Sequence, residues 1–141
     1  MFKLSAKGRY SVRLMLDLAL NYGKGPIALK DIAQRQKISE KYLEHLINPL
    51  KKAKLIRANR GAHGGYALLK PPSEISLKEI IAAVEGPLCV EDSGQNLSTD
   101  FLSRGAWSDL SEKINETLSG ATLEKIIDKN IHNSEEFSYA I

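Results

Sequence analysis

The sequence predicts a mostly α-helical chain with one small β-hairpin, an α+β class, and three observations carry that prediction. Apolar residues recur at helical spacing in several separate runs, most clearly Leu43, Leu46, Ile47 and Leu50 at i, i+3, i+4 and i+7. Only one stretch reads as a pair of short strands: Ile56 to Arg60 and Tyr66 to Leu69, around Gly61, Gly64 and Gly65. A short helical pattern, LKDIAQRQ at Leu29 to Gln36, ends a few residues before the run that follows Ser39. Two helices joined by a short turn and followed directly by a hairpin define a winged helix-turn-helix, in which the second helix enters a DNA major groove.

A chain of 141 residues suffices for one ordinary domain, or a small domain with an appended element, and can bury a real core. No apolar run approaches the roughly 20 residues that span a bilayer. The start, MFKLSAKGRY, lacks the apolar centre of a signal peptide, so a cytoplasmic location is expected. Cys89 is the single cysteine, which excludes a disulfide framework or a Cys-rich zinc site within one chain. The net charge of +3 averages two unlike halves. Residues 1–70 hold 15 Lys/Arg against 4 Asp/Glu (+11), and residues 71–141 hold 5 against 13 (−8). A basic half suits a polyanion such as double-stranded DNA. Its cations are spread over several elements rather than one aromatic-anchored helix, so a membrane surface is not the expected partner.

Taken in order, Ser5 caps a first helix, about Ala6 to Tyr22, closed by Gly23 and Gly25-Pro26. Its centre, LMLDLAL from Leu14 to Leu20, is apolar nearly all round, and a partner subunit is expected to cover part of it. Its start carries Lys3, Lys7, Arg9 and Arg13 near the positive end of the helix dipole, where phosphate contact is favoured. Ser39 caps the recognition helix. With the apolar face turned inward, Lys41, His45, Asn48 and Lys52 share the opposite face, flanked by Glu44 and Lys51. Pro49 removes one backbone hydrogen bond, at about 3 kcal/mol. A kink is expected rather than a stop, because stopping there would strand Leu50 outside the core.

Pro71-Pro72 breaks the chain, and Ser76-Leu77-Lys78-Glu79 is a capping box opening a short helix that ends at Gly86-Pro87. The expected division is a winged-helix domain over 1–87 and a loop over 88–97. A dimerisation helix and a short helix follow over 98–130, then a loosely held tail over 131–141. The long helix places Trp107, Leu110, Ile114 and Leu118 at spacings of three, four and four. Its expected partner is the same helix of a second subunit. A two-fold homodimer of this kind presents two recognition helices to a palindromic operator.

Other chemistry finds little support. His45, His63 and His132 do not have metal-ligand spacing. RGAHGGY lacks the GK[ST] ending of a phosphate-cradling loop. No acid/base pair or activated nucleophile argues for an enzyme. His45 faces outward and suits a base contact, whereas phosphate contact and simple solvation both fit His63.

The segments LSAKGRYSVRLMLDLA, ISEKYLEHLINPLKKAKLI, NRGAHGGYALL, IIAAVEGP, WSDLSEKI and TLEKI resemble, in order and spacing, the bacterial winged-helix regulators that include IscR, NsrR and CymR. The resemblance covers about residues 2–128. It implies a homodimeric transcription factor with the recognition helix in the major groove and an arginine of the wing in the minor groove, and a repressor is the expected kind. Ser39, Tyr42, Glu44, Arg60 and Gly61 match DNA-contacting positions of the IscR branch, while Lys41 and His45 occupy such positions with a different residue type. Physical chemistry agrees: Arg60 suits the negative potential of a narrow minor groove, Gly61 permits close backbone approach, and Glu44 can accept from a cytosine amino group.

The chain departs from the iron–sulfur members of this group. The positions that hold their cluster are Cys89, Gln95, Phe101 and Arg104 here, and of these only Cys89 is of a residue type that ligates iron in such clusters. No cofactor is therefore expected, and the cluster-less CymR-like members, which regulate cysteine metabolism together with a cysteine-synthesis enzyme, are the nearer pattern. A regulatory protein or small-molecule effector is an expected partner. The neighbouring acidic Glu91 and Asp92 are expected to disfavour a thiolate at Cys89 rather than to activate it. Two readings stand beside the main one: a thiol or cluster sensor using Cys89, and a winged-helix module for protein partners.

Overall fold

The computed structural model describes residues 3–90 and 98–140, with backbone alone for Ser98 and residues 134–140. Among these residues six α-helices and one hairpin follow in order: α1 (Ala6–Leu20), α2 (Leu29–Gln36), α3 (Glu40–Lys52), β1 (Ile56–Asn59), β2 (Gly65–Leu68), α4 (Leu77–Glu85), α5 (Ser98–Gly120) and α6 (Leu123–Ala140), with a 3-10 turn at Pro72–Glu74. The prediction of a mostly helical chain with one hairpin holds. Among the described residues no helix is long and apolar enough to cross a membrane.

Helix α1 is the hub. Ser5 Oγ accepts from the Gly8 N–H at 3.1 Å and fixes its first turn. Leu14, Met15, Leu18 and Ala19 are buried, and α2, α3, α4, α6 and β2 all pack against this one helix. The apolar centre therefore needs no second subunit to cover it, contrary to expectation. The reason is α6, which folds back on α1 and leaves only Leu20 widely exposed, at 56%. The helix also ends at Leu20, two residues earlier than expected.

Helix α6 is stitched to the domain by backbone. The Leu77 N–H donates to the Ala121 carbonyl and the Leu123 N–H to the Ile75 carbonyl, both at 2.9 Å, and the Leu123 side chain is fully buried. Thr122 Oγ1 caps the helix, accepting from the Lys125 N–H at 3.2 Å. Helical backbone continues past Asn130 to Ala140, through the segment that the sequence marks as a loosely held tail. Ile126, Ile127 and Ile131 extend the apolar period of Leu123 and lie along Leu16 and Leu20 of α1.

Strands β1 and β2 pair antiparallel, Ile56 opposite Leu68 and Asn59 opposite Gly65. Ile27 adds a third edge: its N–H and carbonyl bond the Tyr66 carbonyl and N–H, each at 2.8 Å. This pairing explains Gly65, because a Cβ there would lie 2.2 Å from the Ile27 carbonyl oxygen. Helix α5 packs chiefly on α4, through Ile114 and Leu118. Asn115 Nδ2 donates to the Leu88 carbonyl (3.0 Å) and the Val90 N–H to Ser111 Oγ (2.8 Å), which fastens the chain after α4 along the helix.

Candidate nucleic-acid interface

The recognition helix α3 is held at both ends and along one side. At its start Ser39 Oγ accepts from the Tyr42 N–H at 3.1 Å. At its end Lys54, at φ 60°, turns the chain into the left-handed region. The Leu55 N–H donates to the Leu50 carbonyl (3.0 Å) and the Lys54 N–H to the Lys51 carbonyl (2.9 Å), the paired bonds of a Schellman stop. Leu43, Leu46, Ile47 and Leu50 are at most 2% exposed. Helix α3 runs through Pro49 to Lys52, so Leu50 joins the core.

With the inner face sealed, Lys41, Glu44, His45, Asn48, Lys51 and Lys52 are exposed on the outside of α3. Tyr42 is half-buried and packs against the core, its ring edge-on to Tyr10 with centroids 5.7 Å apart. The hairpin tip exposes Arg60, Gly61 and His63, and Arg57 on β1 donates to Asn59 Oδ1. Gly61 adopts φ 110° with open space around the missing Cβ, so the turn itself calls for glycine. At Gly64 a Cβ would lie 2.4 Å from the Asn59 carbonyl oxygen. Lys7 and Arg9 are exposed on the first turns of α1.

A buried carboxylate orients the helix-turn-helix from behind. Asp17, 3% exposed, accepts from Arg35 Nε (3.0 Å), from the Arg35 terminal nitrogen (2.8 Å) and from Gln36 Nε2 (2.8 Å). The Asp17 bond raises the Arg35 pKa, outweighing the desolvation that lowers it. Arg13 bonds the Gln36 side chain (3.3 Å) and its backbone carbonyl, so α1 and α2 are clasped twice. Sequence reasoning missed Tyr10, Asp17, Arg35 and Gln36 as parts of this interface. The available signal was Asp17 itself, a carboxylate inside an apolar run.

Cys89 is exposed and lies on the wall of a cleft between α1, α4 and α5. Of the other cluster-like positions, Phe101 offers no donor atom and Arg104 only a cation, while Gln95 lies outside the described residues. This donor set does not fit an iron–sulfur cluster. On α5, Phe101 and Leu102 are 75% and 72% exposed and Trp107 is 37% exposed, whereas Leu110, Ile114 and Leu118 are half-buried.

A helix-turn-helix with a sealed inner face, a polar and basic outer face and a basic hairpin beside it defines a winged-helix DNA-binding protein. The chain belongs to the Rrf2 family of transcriptional regulators: the family profile, described as an iron-dependent transcriptional regulator, matches residues 4–129. It is a family of regulators, not of enzymes. The transcriptional regulator CymR of Bacillus subtilis is 36% identical over 139 residues, covering 99% of each chain. IscR of Aliivibrio salmonicida is 41% identical over 132 residues, covering 91% of this chain and 79% of its own. The solved structure of CymR, the global cysteine regulator of B. subtilis, superposes with a TM-score of 0.82 at 38% identity, over 92% of this chain and 98% of that one.

Proposed function

We propose that the protein is a repressor that binds a palindromic operator in the cytoplasm as a homodimer, with α3 in the major groove and the hairpin tip in the minor groove. The observation that carries this reading is the presentation of Lys41, Glu44, His45 and Asn48 on the outside of a helix whose other face is fully buried. A helix backbone ordered before binding presents these side chains to base edges without losing backbone entropy at the moment of binding. Ser39 keeps its hydroxyl proton to donate while its oxygen caps the helix, and Tyr42 lies beside it. Arg60, Gly61 and His63 serve the minor groove and adjacent phosphates. Lys7, Arg9, Lys51 and Lys52 add sequence-independent phosphate attraction.

The homodimer is supported by α5, whose exposed Phe101, Leu102 and Trp107 lie toward the start of the stripe of Leu110, Ile114 and Leu118. Control of cysteine or sulfur metabolism is supported by the CymR relative, and an effector, protein or small molecule, would act through the α5 side of the domain. Cys89, exposed on the cleft wall, is the candidate for thiol sensing.

The test is selection of bound duplexes from a random DNA library by the purified protein near physiological salt. An enriched inverted repeat is expected, and uniform salt-sensitive binding with no enriched sequence would overturn the proposal. On the enriched duplex, Arg60→Ala is expected to cost about 1–3 kcal/mol of specific binding. Lys52→Ala is expected to weaken all duplexes alike and to lower the salt slope by about 1.

A further inference from the structure

We infer that Tyr10 and Arg13 are positioning residues for the recognition helix, and that they tie its first turn to the cleft beneath α5. This deepens the proposed DNA-binding function and rests on it.

The tie is a chain of contacts that links α3, α1 and α2. Tyr42, on the first turn of α3, meets the Tyr10 ring of α1 at an interplanar angle of 86°. An edge-to-face pair fixes an angle as well as a distance, which an aliphatic contact does not. Arg13 lies over Tyr10, 5.1 Å from the ring centroid, a cation–π distance. The same guanidinium bonds the side chain and the carbonyl of Gln36, which ends α2, and Gln36 in turn bonds the buried Asp17. Tyr42 is therefore held from its backbone by the Ser39 cap and from its ring by α1.

Tyr10 and Arg13 have a second neighbour. Both line the cleft of about 920 Å³ whose other walls include Ile81 of α4 and Ile114 and Leu118 of α5. A change on the α5 side of this cleft reaches the recognition helix through two side chains. Moving Tyr10 tilts the turn that carries Lys41, Glu44 and His45, while Lys51 and Lys52 at the far end keep their attraction for phosphate. The coupling acts on specificity rather than on general affinity.

The experiment compares Tyr10→Leu, Tyr10→Phe and Arg13→Met by affinity for the enriched inverted repeat and for a scrambled duplex of equal length. Tyr10→Leu and Arg13→Met are expected to lower the ratio of the two affinities about tenfold. Tyr10→Phe, which keeps the ring, is expected to stay within about threefold of wild type. An unchanged ratio, or equal losses on both duplexes, would overturn the inference. Hydrogen exchange of the DNA-free protein gives an independent reading. In Tyr10→Leu the amides of Leu43 to Ile47 are expected to exchange about tenfold faster, with those of Ile80 to Val84 unchanged. Unchanged exchange, or a loss shared equally by α4, would overturn the inference. Failure of the wild-type protein to enrich any duplex would instead overturn the proposed function, and the exchange result would then decide the inference alone.

Discussion

Helices α3 and α5 carry similar apolar stripes, yet the two meet different fates. Every apolar residue of the α3 stripe is sealed beneath α1 and α4, whereas the α5 stripe is half-buried at Leu110, Ile114 and Leu118 and exposed at Trp107. Periodicity states that a face is built to be covered, and says nothing of whether the cover belongs to the same chain. In α3 the cover comes from the domain itself, which leaves the polar face rigid and outward. In α5 the C-terminal half leans on α4, and Phe101 and Leu102 at the other end stay exposed, where the proposed homodimer would cover them.

The contrast is sharpest in mutations that empty each stripe. Leu46→Ala removes a fully buried side chain and is expected to destabilise each chain by about 3–4 kcal/mol, read from denaturant unfolding. Behind the same helix pair, Arg35→Ala leaves Asp17 buried with Gln36 as its remaining side-chain donor. A loss of about 2–3 kcal/mol is expected, since the half-exposed arginine leaves room for water to reach the carboxylate. Because the Asp17 bond raises the Arg35 pKa, this stabilisation is fully present below the ordinary guanidinium range and is lost only as pH rises beyond it. Urea unfolding of wild type and Arg35→Ala should therefore differ by a constant amount across neutral pH. A gap that opens or closes there would break this account of the clasp.

On α5 the expected effect is of another kind. Trp107→Glu is expected to change per-chain folding by less than about 1 kcal/mol while converting the particle from two chains to one in light scattering. A large fall in melting temperature without dissociation would mean that α5 belongs to the core as α3 does. The smallest effect concerns the stop of α3. Lys54 holds a left-handed conformation that glycine adopts freely, so Lys54→Gly is expected to stabilise by about 0.5–1 kcal/mol in the same unfolding experiment.

Much of the fold was legible because its signals are local. Ser5, Ser39, Ser76 and Thr122 each cap the helix expected of them, and Leu43 to Leu50 are buried as their spacing requires. What escaped depends on partners far apart in sequence. Asp17 announced a buried charge in an apolar run, but nothing nearby named Arg35 and Gln36 as its donors. The Ile27–Tyr66 pairing that gives Gly65 its purpose joins residues 39 positions apart, and no local pattern contains it. The stops at Lys37 and Lys54 were hidden because both use a left-handed lysine where glycine is the usual signal. Covering the centre of α1 was assigned to a second subunit because the return of α6 onto α1 is a tertiary event. The outer face of α3 was legible only by subtraction, as the side left over once the apolar stripe turned inward.

In the proposed function α3 reads DNA while α5 brings two such helices together, and one selection tests both roles at once. Wild type and Trp107→Glu are given the same random duplex library at the same salt concentration. Wild type is expected to enrich an inverted repeat with half-sites about one helical turn, or a multiple of it, apart. Trp107→Glu is expected to enrich at most a single half-site, more weakly. Enrichment of the same inverted repeat by both, with unchanged spacing and affinity, would contradict the role given to α5. Enrichment of no sequence by wild type would contradict the role given to α3.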